Sequence, residues 1–249
     1  MRYFLEIAYN GTRYHGWQRQ PNAITVQETA EKALSTILGS QIVTTGAGRT
    51  DTGVHARQLY AHFDFEGFFE CAKLVYKLNS FLPPDISVIS IIPVSDNAHA
   101  RFDAVSRTYE YHITTVKNPF ATELSWHYHN PIDVLQMNLA AQRLLGKHDF
   151  ECFCKSNSDV NSFDCQVTNA HWQQSGNQYI FTITADRFLR NMVRAIVGTL
   201  IDVGSAKITI SDFERILQSK SRSEAGFSVP AHGLFLTQIM YPYINQDIR

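Results

Sequence analysis

One stretch, Gly46-Ala47-Gly48-Arg49-Thr50-Asp51-Thr52-Gly53-Val54-His55-Ala56-Arg57, sets a single carboxylate among glycines, threonines and two guanidinium groups. Cations close in sequence favour the ionised form of Asp51. An ionised, positioned carboxylate suits a nucleophile or an electrostatic stabiliser better than a general acid. The plain alternative is a turn whose Asp and Thr bond only to nearby backbone, and pattern alone leaves it open. Three other groups could act with this loop. Arg13 and Arg19 flank Tyr14 and Trp17, a pattern suited to stacking and phosphate contact, although Trp17 is also a candidate core residue. Arg107, Tyr109 and Tyr111 share one face of a strand by their spacing, either a face that stacks a base and holds a phosphate or a core tyrosine pair with a snorkelling Arg. Arg187, Arg190 and Arg194 fall on one stripe if residues 188–203 are helical. Three cations at a helix start oppose the macrodipole and so call for anionic partners.

The elements that must carry these groups follow from periodicity. Arg2–Tyr9 alternates as a strand, with Tyr3, Leu5, Ile7 and Tyr9 on one face. Thr25 and Glu28 form a capping box for a helix that Gly39 closes. Gln41–Thr45 and Gln58–Asp64 read as strands around the central loop, followed by a helix from Glu66 to Asn79 and a strand over Ile86–Val94. The order β-α-β-β-α-β is ferredoxin-like. Residues 105–249 repeat it: strand Val105–Thr115, helix Pro131–Leu145, and a hairpin of Phe163–Trp172 with Tyr179–Ala185. Helix Phe188–Val203, an extra helix capped by Ser211 and Glu214, and a last strand Leu234–Tyr241 complete it. The expectation is an α+β fold of two ferredoxin-like βαββαβ halves, residues 1–104 and 105–249, packed around a central cleft.

Composition narrows the function classes. A hydrophobic content of 44% and a charged content of 18% describe an ordinary globular chain able to bury a full core. The net charge of -1 gives no global field for nucleic acid, so local clusters must decide. Of the 22 basic residues 14 are Arg, the residue suited to phosphates and base edges. Cys71, Cys152, Cys154 and Cys165 lack the paired spacing of structural zinc and are read as reduced thiols, with no metal. No apolar run suits a membrane span, and the first residues read directly as strand, so a cytoplasmic protein is expected.

Asp51-Thr52-Gly53 is also the triplet of aspartic proteases, but polar, cationic neighbours oppose the shared proton such enzymes need. Two readings then remain: a non-catalytic RNA-binding module with aromatic platforms, and an enzyme acting on a base drawn out of RNA. A carboxylate at the centre of a basic loop would repel phosphate, which disfavours the module.

The residues Ala47–Ala56, AGRTDTGVHA, resemble the active-site motif of the TruA family of tRNA pseudouridine synthases. The likeness extends to His15–Asn22, Thr25-Val26-Gln27, Arg107–Tyr111, Phe188–Arg194 with Ile196–Gly198, and Ala231–Leu234. Cys152–Cys165 departs from the family pattern. The resemblance implies a pseudouridine synthase fold and conversion of uridine to pseudouridine at positions 38 to 40 of the tRNA anticodon stem-loop, with no metal or redox cofactor. It implies Asp51 as the nucleophile, on the base or the sugar C1′, and Arg194 as the cation that keeps it ionised. It implies Tyr109 stacked on the flipped uracil and Arg49 beside the flipped-out nucleotide. Arg13, Arg19 and Arg190 are the expected RNA contacts, and family members work as homodimers.

Overall fold

A computed structural model describes residues 1–156, 158 and 160–244. The chain divides into two compact units, Met1–Val105 with Phe235–Arg249, and Ser106–Leu234. Both mix helices with strands that pair mostly antiparallel. Among the described residues, no helix is long and apolar enough to cross a membrane.

In the first unit β1 (Arg2–Tyr9) runs antiparallel to both β3 (His55–Asp64) and β4 (Ile86–Val94). The two-residue β2 (Thr45–Gly46) pairs antiparallel with β3. The last strand, β10 (Leu234–Met240), joins this unit from Phe235 onward and lies parallel to β3. Helices α1 (Val26–Leu38) and α2 (Cys71–Phe81) complete it. The Thr25 side chain accepts from Glu28 N–H at the start of α1, the N-cap half of the expected box, and Gly39 ends it in the left-handed region, as the sequence predicts. Residues on both faces of β1 are buried, Leu5 and Ile7 on one and Phe4 on the other. Phe4 belongs to an aromatic cluster with Tyr60, His62 and Tyr241.

The second unit orders its strands β5 (Ser106–Thr114), β9 (Gln178–Ala185), β8 (Asp164–Ser175) and β7 (Gly146–Asp149). The short β6 (Trp126–His127) lies parallel to β5. Helices α3 (Val134–Ala141), α4 (Met192–Gly204) and α5 (Ile210–Gln218) supply Met137, Ile196, Leu200 and Phe213 to its core.

Several boundaries move for identifiable reasons. Residues 41–44 make no strand; Thr44 is instead held through its N–H and hydroxyl by the buried Glu31 carboxylate. The second helix begins at Cys71 rather than Glu66. The third begins at Val134, where Asp133 accepts from the N–H groups of Leu135 and Gln136. The extra helix is capped by Thr209 and Asp212, not by Ser211 and Glu214. The largest change concerns residues 188–191, which precede α4. Asn191 sits at φ 67 and breaks any helix across it. Arg187 and Arg190 therefore lie outside the helix that carries Arg194, and the expected arginine stripe does not form.

His62, buried on β3, accepts a hydrogen bond at Nδ1 from Ala100 N–H (3.1 Å). Burial, with the Arg2 charge adding to it, pushes its pKa down to about 4. An unfolded histidine titrates near ~6.5. Between those values the folded chain binds fewer protons, so this contribution is full above pH ~6.5 and is lost as pH falls to about 4. Denaturant titrations should show a loss on the order of 2 kcal/mol across that window, much reduced in His62→Gln.

Candidate functional site

In the first unit the Asp51 loop is pinned by the segment after β1. Ala47 N–H donates to Tyr60 O (2.8 Å), continuing the pairing of β2 with β3. Tyr9, at the end of β1, places its buried hydroxyl 2.8 Å from Thr50 Oγ1. Gly53 N–H donates to Tyr14 O (3.3 Å), and Gly11 N–H donates to Nδ1 of the buried His55 (3.0 Å). A methyl group on Gly11 would collide with the Val54 carbonyl, and one on Gly16 with the Thr50 carbonyl. Asp51 itself opens a turn that Val54 N–H closes on its carbonyl (3.1 Å), with Gly53 at φ 78. The turn is thus real, and it leaves Asp51 half-buried with Arg49 exposed two residues before it. Arg57 lies over the Phe235 ring, 5.3 Å from its centroid, and the same ring stacks on His55.

The flanking loop is a support rather than a stacking surface. Trp17 is fully buried and Tyr14 nearly so. The Trp17 indole lies against Gly46, where a Cβ would strike its nitrogen. Tyr14 donates to Asp85 (2.8 Å), and burial followed by that carboxylate raises its pKa. Asp85 also takes the Arg13 guanidinium at 2.6 Å. Arg19 is exposed, with Glu28 at 3.7 Å and Glu31 at 3.8 Å.

The second unit holds Tyr109, Arg190 and Arg194. Tyr109 pairs with Ile183 across β5 and β9 and meets Phe188 edge to face, ring centroids 5.0 Å apart. Tyr111, two residues on, is fully buried and donates to Pro230 O (2.8 Å). It is therefore a core residue, not an open stacking ring, and burial raises its pKa strongly. Arg194, in the first turn of α4, donates from Nε to Val229 O (2.7 Å), while Val229 N–H returns to Arg194 O (3.2 Å). His232 lies close by, its pKa lowered first by burial, with the Arg194 charge adding to it. Arg190 is exposed, its carbonyl accepting from Lys155 N–H.

Each unit thus carries its own candidates, Asp51 and Arg49 in one, and Tyr109, Arg190 and Arg194 in the other. The supporting residues Tyr9, Gly11 and His55 carry no signal of that role in sequence, because their partners lie about 40 residues away. The four cysteines are free, three of them buried, and burial pushes Cys152 and Cys165 up to about 12. Among the described residues no group of three or more His, Cys, Asp or Glu is placed to hold a metal. Tyr9→Phe should lower stability by about 1 kcal/mol through loss of the Thr50 contact. A shifted denaturant midpoint at unchanged slope is the expected reading.

Comparison with known proteins places these motifs in one lineage. A family model described as tRNA pseudouridine synthase matches residues 7–103 and 140–242. A relative from Bacteroides fragilis, named tRNA pseudouridine synthase A, is 50% identical over 243 residues, covering 97% of this chain and 96% of its own. One of the same name from Porphyromonas gingivalis is 50% identical over 246 residues, covering 97% of each chain. A third, from Nostoc sp., is 40% identical over 97% of this chain and 86% of its own. The chain belongs to the tRNA pseudouridine synthase family.

Proposed function

We propose that this protein is an isomerase that converts uridine to pseudouridine at positions 38, 39 and 40 in the anticodon stem-loop of tRNA. In this reaction the N1–C1′ glycosidic bond breaks, C5 of the turned uracil bonds to C1′, and the C5 proton is lost while N1 regains one. Atoms and electrons balance within the nucleotide, so the overall change requires no external oxidant or reductant. The reading rests on family membership, and one observation carries the assignment of Asp51: the loop bearing its carboxylate is clamped at Thr50, Gly53 and His55. A preorganised group enters reaction without further ordering cost, which is where much of a catalytic advantage arises.

Asp51 is the proposed nucleophile on a uridine flipped from its stack. Tyr109 is proposed to stack on that uracil, Arg194 to support the carboxylate, and Arg49 to sit beside the displaced nucleotide. Two ferredoxin-like halves within each chain, a homodimer of such chains, and action on tRNA in the cytoplasm belong to the same proposal. Arg13, Arg19 and Arg190 are its RNA contacts, with the Arg13 charge already shared with Asp85.

Asp51→Asn should abolish pseudouridine formation in a tRNA transcript while tRNA binding persists; product formed by the purified variant would remove Asp51 from the nucleophile role. Pseudouridine confined to positions 38 to 40 in wild-type reactions supports the site, and product elsewhere overturns it. Tight binding by the wild-type chain with no product would favour a binding module. Arg19→Gln should flatten the dependence of log K on log salt by roughly one unit, and Arg13→Gln by less. Unchanged slopes would assign both arginines to stability alone.

A further inference from the structure

We propose that the loop after β4 presents a second RNA contact, in which the exposed Phe102 ring stacks on an unpaired base and Arg101 draws the adjoining phosphate. The inference rests on the reading of tRNA as substrate and concerns residues outside the groups assigned above.

Phe102 is 73% exposed. Exposed apolar residues are common and carry no meaning singly. What distinguishes this one is how firmly its loop is held. Ala100 is bonded through N–H to His62 Nδ1 (3.1 Å) and through its carbonyl to the buried Tyr241 hydroxyl (2.5 Å). Arg2 donates to Ala98 O (2.9 Å). Asp103 accepts from His99 N–H and from the Tyr243 hydroxyl, both at 2.8 Å. His99 Nδ1 in turn accepts from the N–H groups of Arg101 (3.1 Å) and Phe102 (3.3 Å). The backbone under the ring is therefore fixed before any partner arrives, which removes an ordering cost from binding.

The chemistry at the tip is specific in kind. The Arg101 guanidinium lies over the Phe102 ring, 5.7 Å from its centroid. The His99 ring meets the same phenyl at 4.3 Å and 34°. An aromatic ring beside a cation matches the pairing of base stacking with phosphate attraction used on single-stranded nucleic acid. Arg101 also favours a polyanion over a second copy of an apolar face. His62, which carries the loop, stands near the far end of β3 from Asp51, roughly 20 Å along the strand. An RNA that reaches both extends well beyond one nucleotide, as a tRNA arm does.

The test uses the full chain and an unmodified tRNA transcript. Phe102→Ala should weaken tRNA binding about 5- to 50-fold. Phe102→Tyr should restore most of the affinity, whereas Phe102→Leu, apolar but without a π-face, should not. Arg101→Gln should weaken binding and lower the salt slope by roughly one unit. Phe68→Ala, which removes another exposed ring of the same unit, serves as the comparison and should bind as wild type does. Matching thermal melts exclude unfolding as the cause. Wild-type affinity in Phe102→Ala, or full affinity in Phe102→Leu, overturns the stacking contact. So does a change in self-association by sedimentation with tRNA affinity unchanged, which would assign the ring to a protein interface. Failure of the wild-type chain to bind tRNA would instead reject the substrate reading itself.

Discussion

Close backbone approach between residues 10–17 and residues 46–55 is the constraint on which the first unit's chemistry depends. Side chains at Gly11, Gly16 or Gly46 would drive the two segments apart, since each would strike Val54, Thr50 or Trp17. Glycine gives up conformational freedom on folding, and here that loss is offset by a set of backbone and side-chain hydrogen bonds that no bulkier residue could reach. The result is a half-buried carboxylate on a turn whose neighbours on both sides are held, Thr50 by Tyr9 and His55 by Gly11.

A comparable device organises the second unit. Asn191, in the left-handed region, starts α4, and its side chain reaches Ser228 (2.6 Å). The segment from Phe227 to Pro230 then runs beside the helix. Gly198 admits the Phe227 carbonyl, Arg194 and Val229 exchange two hydrogen bonds, and Pro230 accepts from the buried Tyr111. Strand β5, helix α4 and the segment before β10 thereby become one block. A guanidinium fixed by a carbonyl keeps its charge and loses its freedom, which suits a group that must present a cation at one place.

Much of the frame was legible. The bounds of β1 follow from alternation, those of β4 from a β-rich run, and α1 from Thr25 and Gly39, because these signals are local. The family and the central motif were legible for the same reason: a dozen contiguous residues suffice to display them. The role of the Arg13–Gln20 segment was not. Trp and Tyr between arginines look alike whether they face solvent or fill a core, and it is partners distant in sequence, such as Gly46 some 30 residues away, that show Trp17 is packed. The helix expected from Phe188 failed for a similar reason. Periodicity runs through residues 188–191, but Phe188 is held against Tyr109 and the Arg190 carbonyl accepts from Lys155, so long-range partners outweigh helix propensity.

By itself the sequence determined the family, the alternating strands, the capped first helix and the presence of one carboxylate among cations. Each is written in neighbouring residues, through side-chain period, cap chemistry or motif. Tertiary structure alone decided that the tryptophan loop is a buttress, that Arg187 and Arg190 stand apart from the helix bearing Arg194, and that the chain returns its last strand to the first unit. The physical reason is range. Periodicity and caps act over a few residues, whereas which face is buried and which guanidinium finds a carbonyl are settled by atoms that only folding brings together.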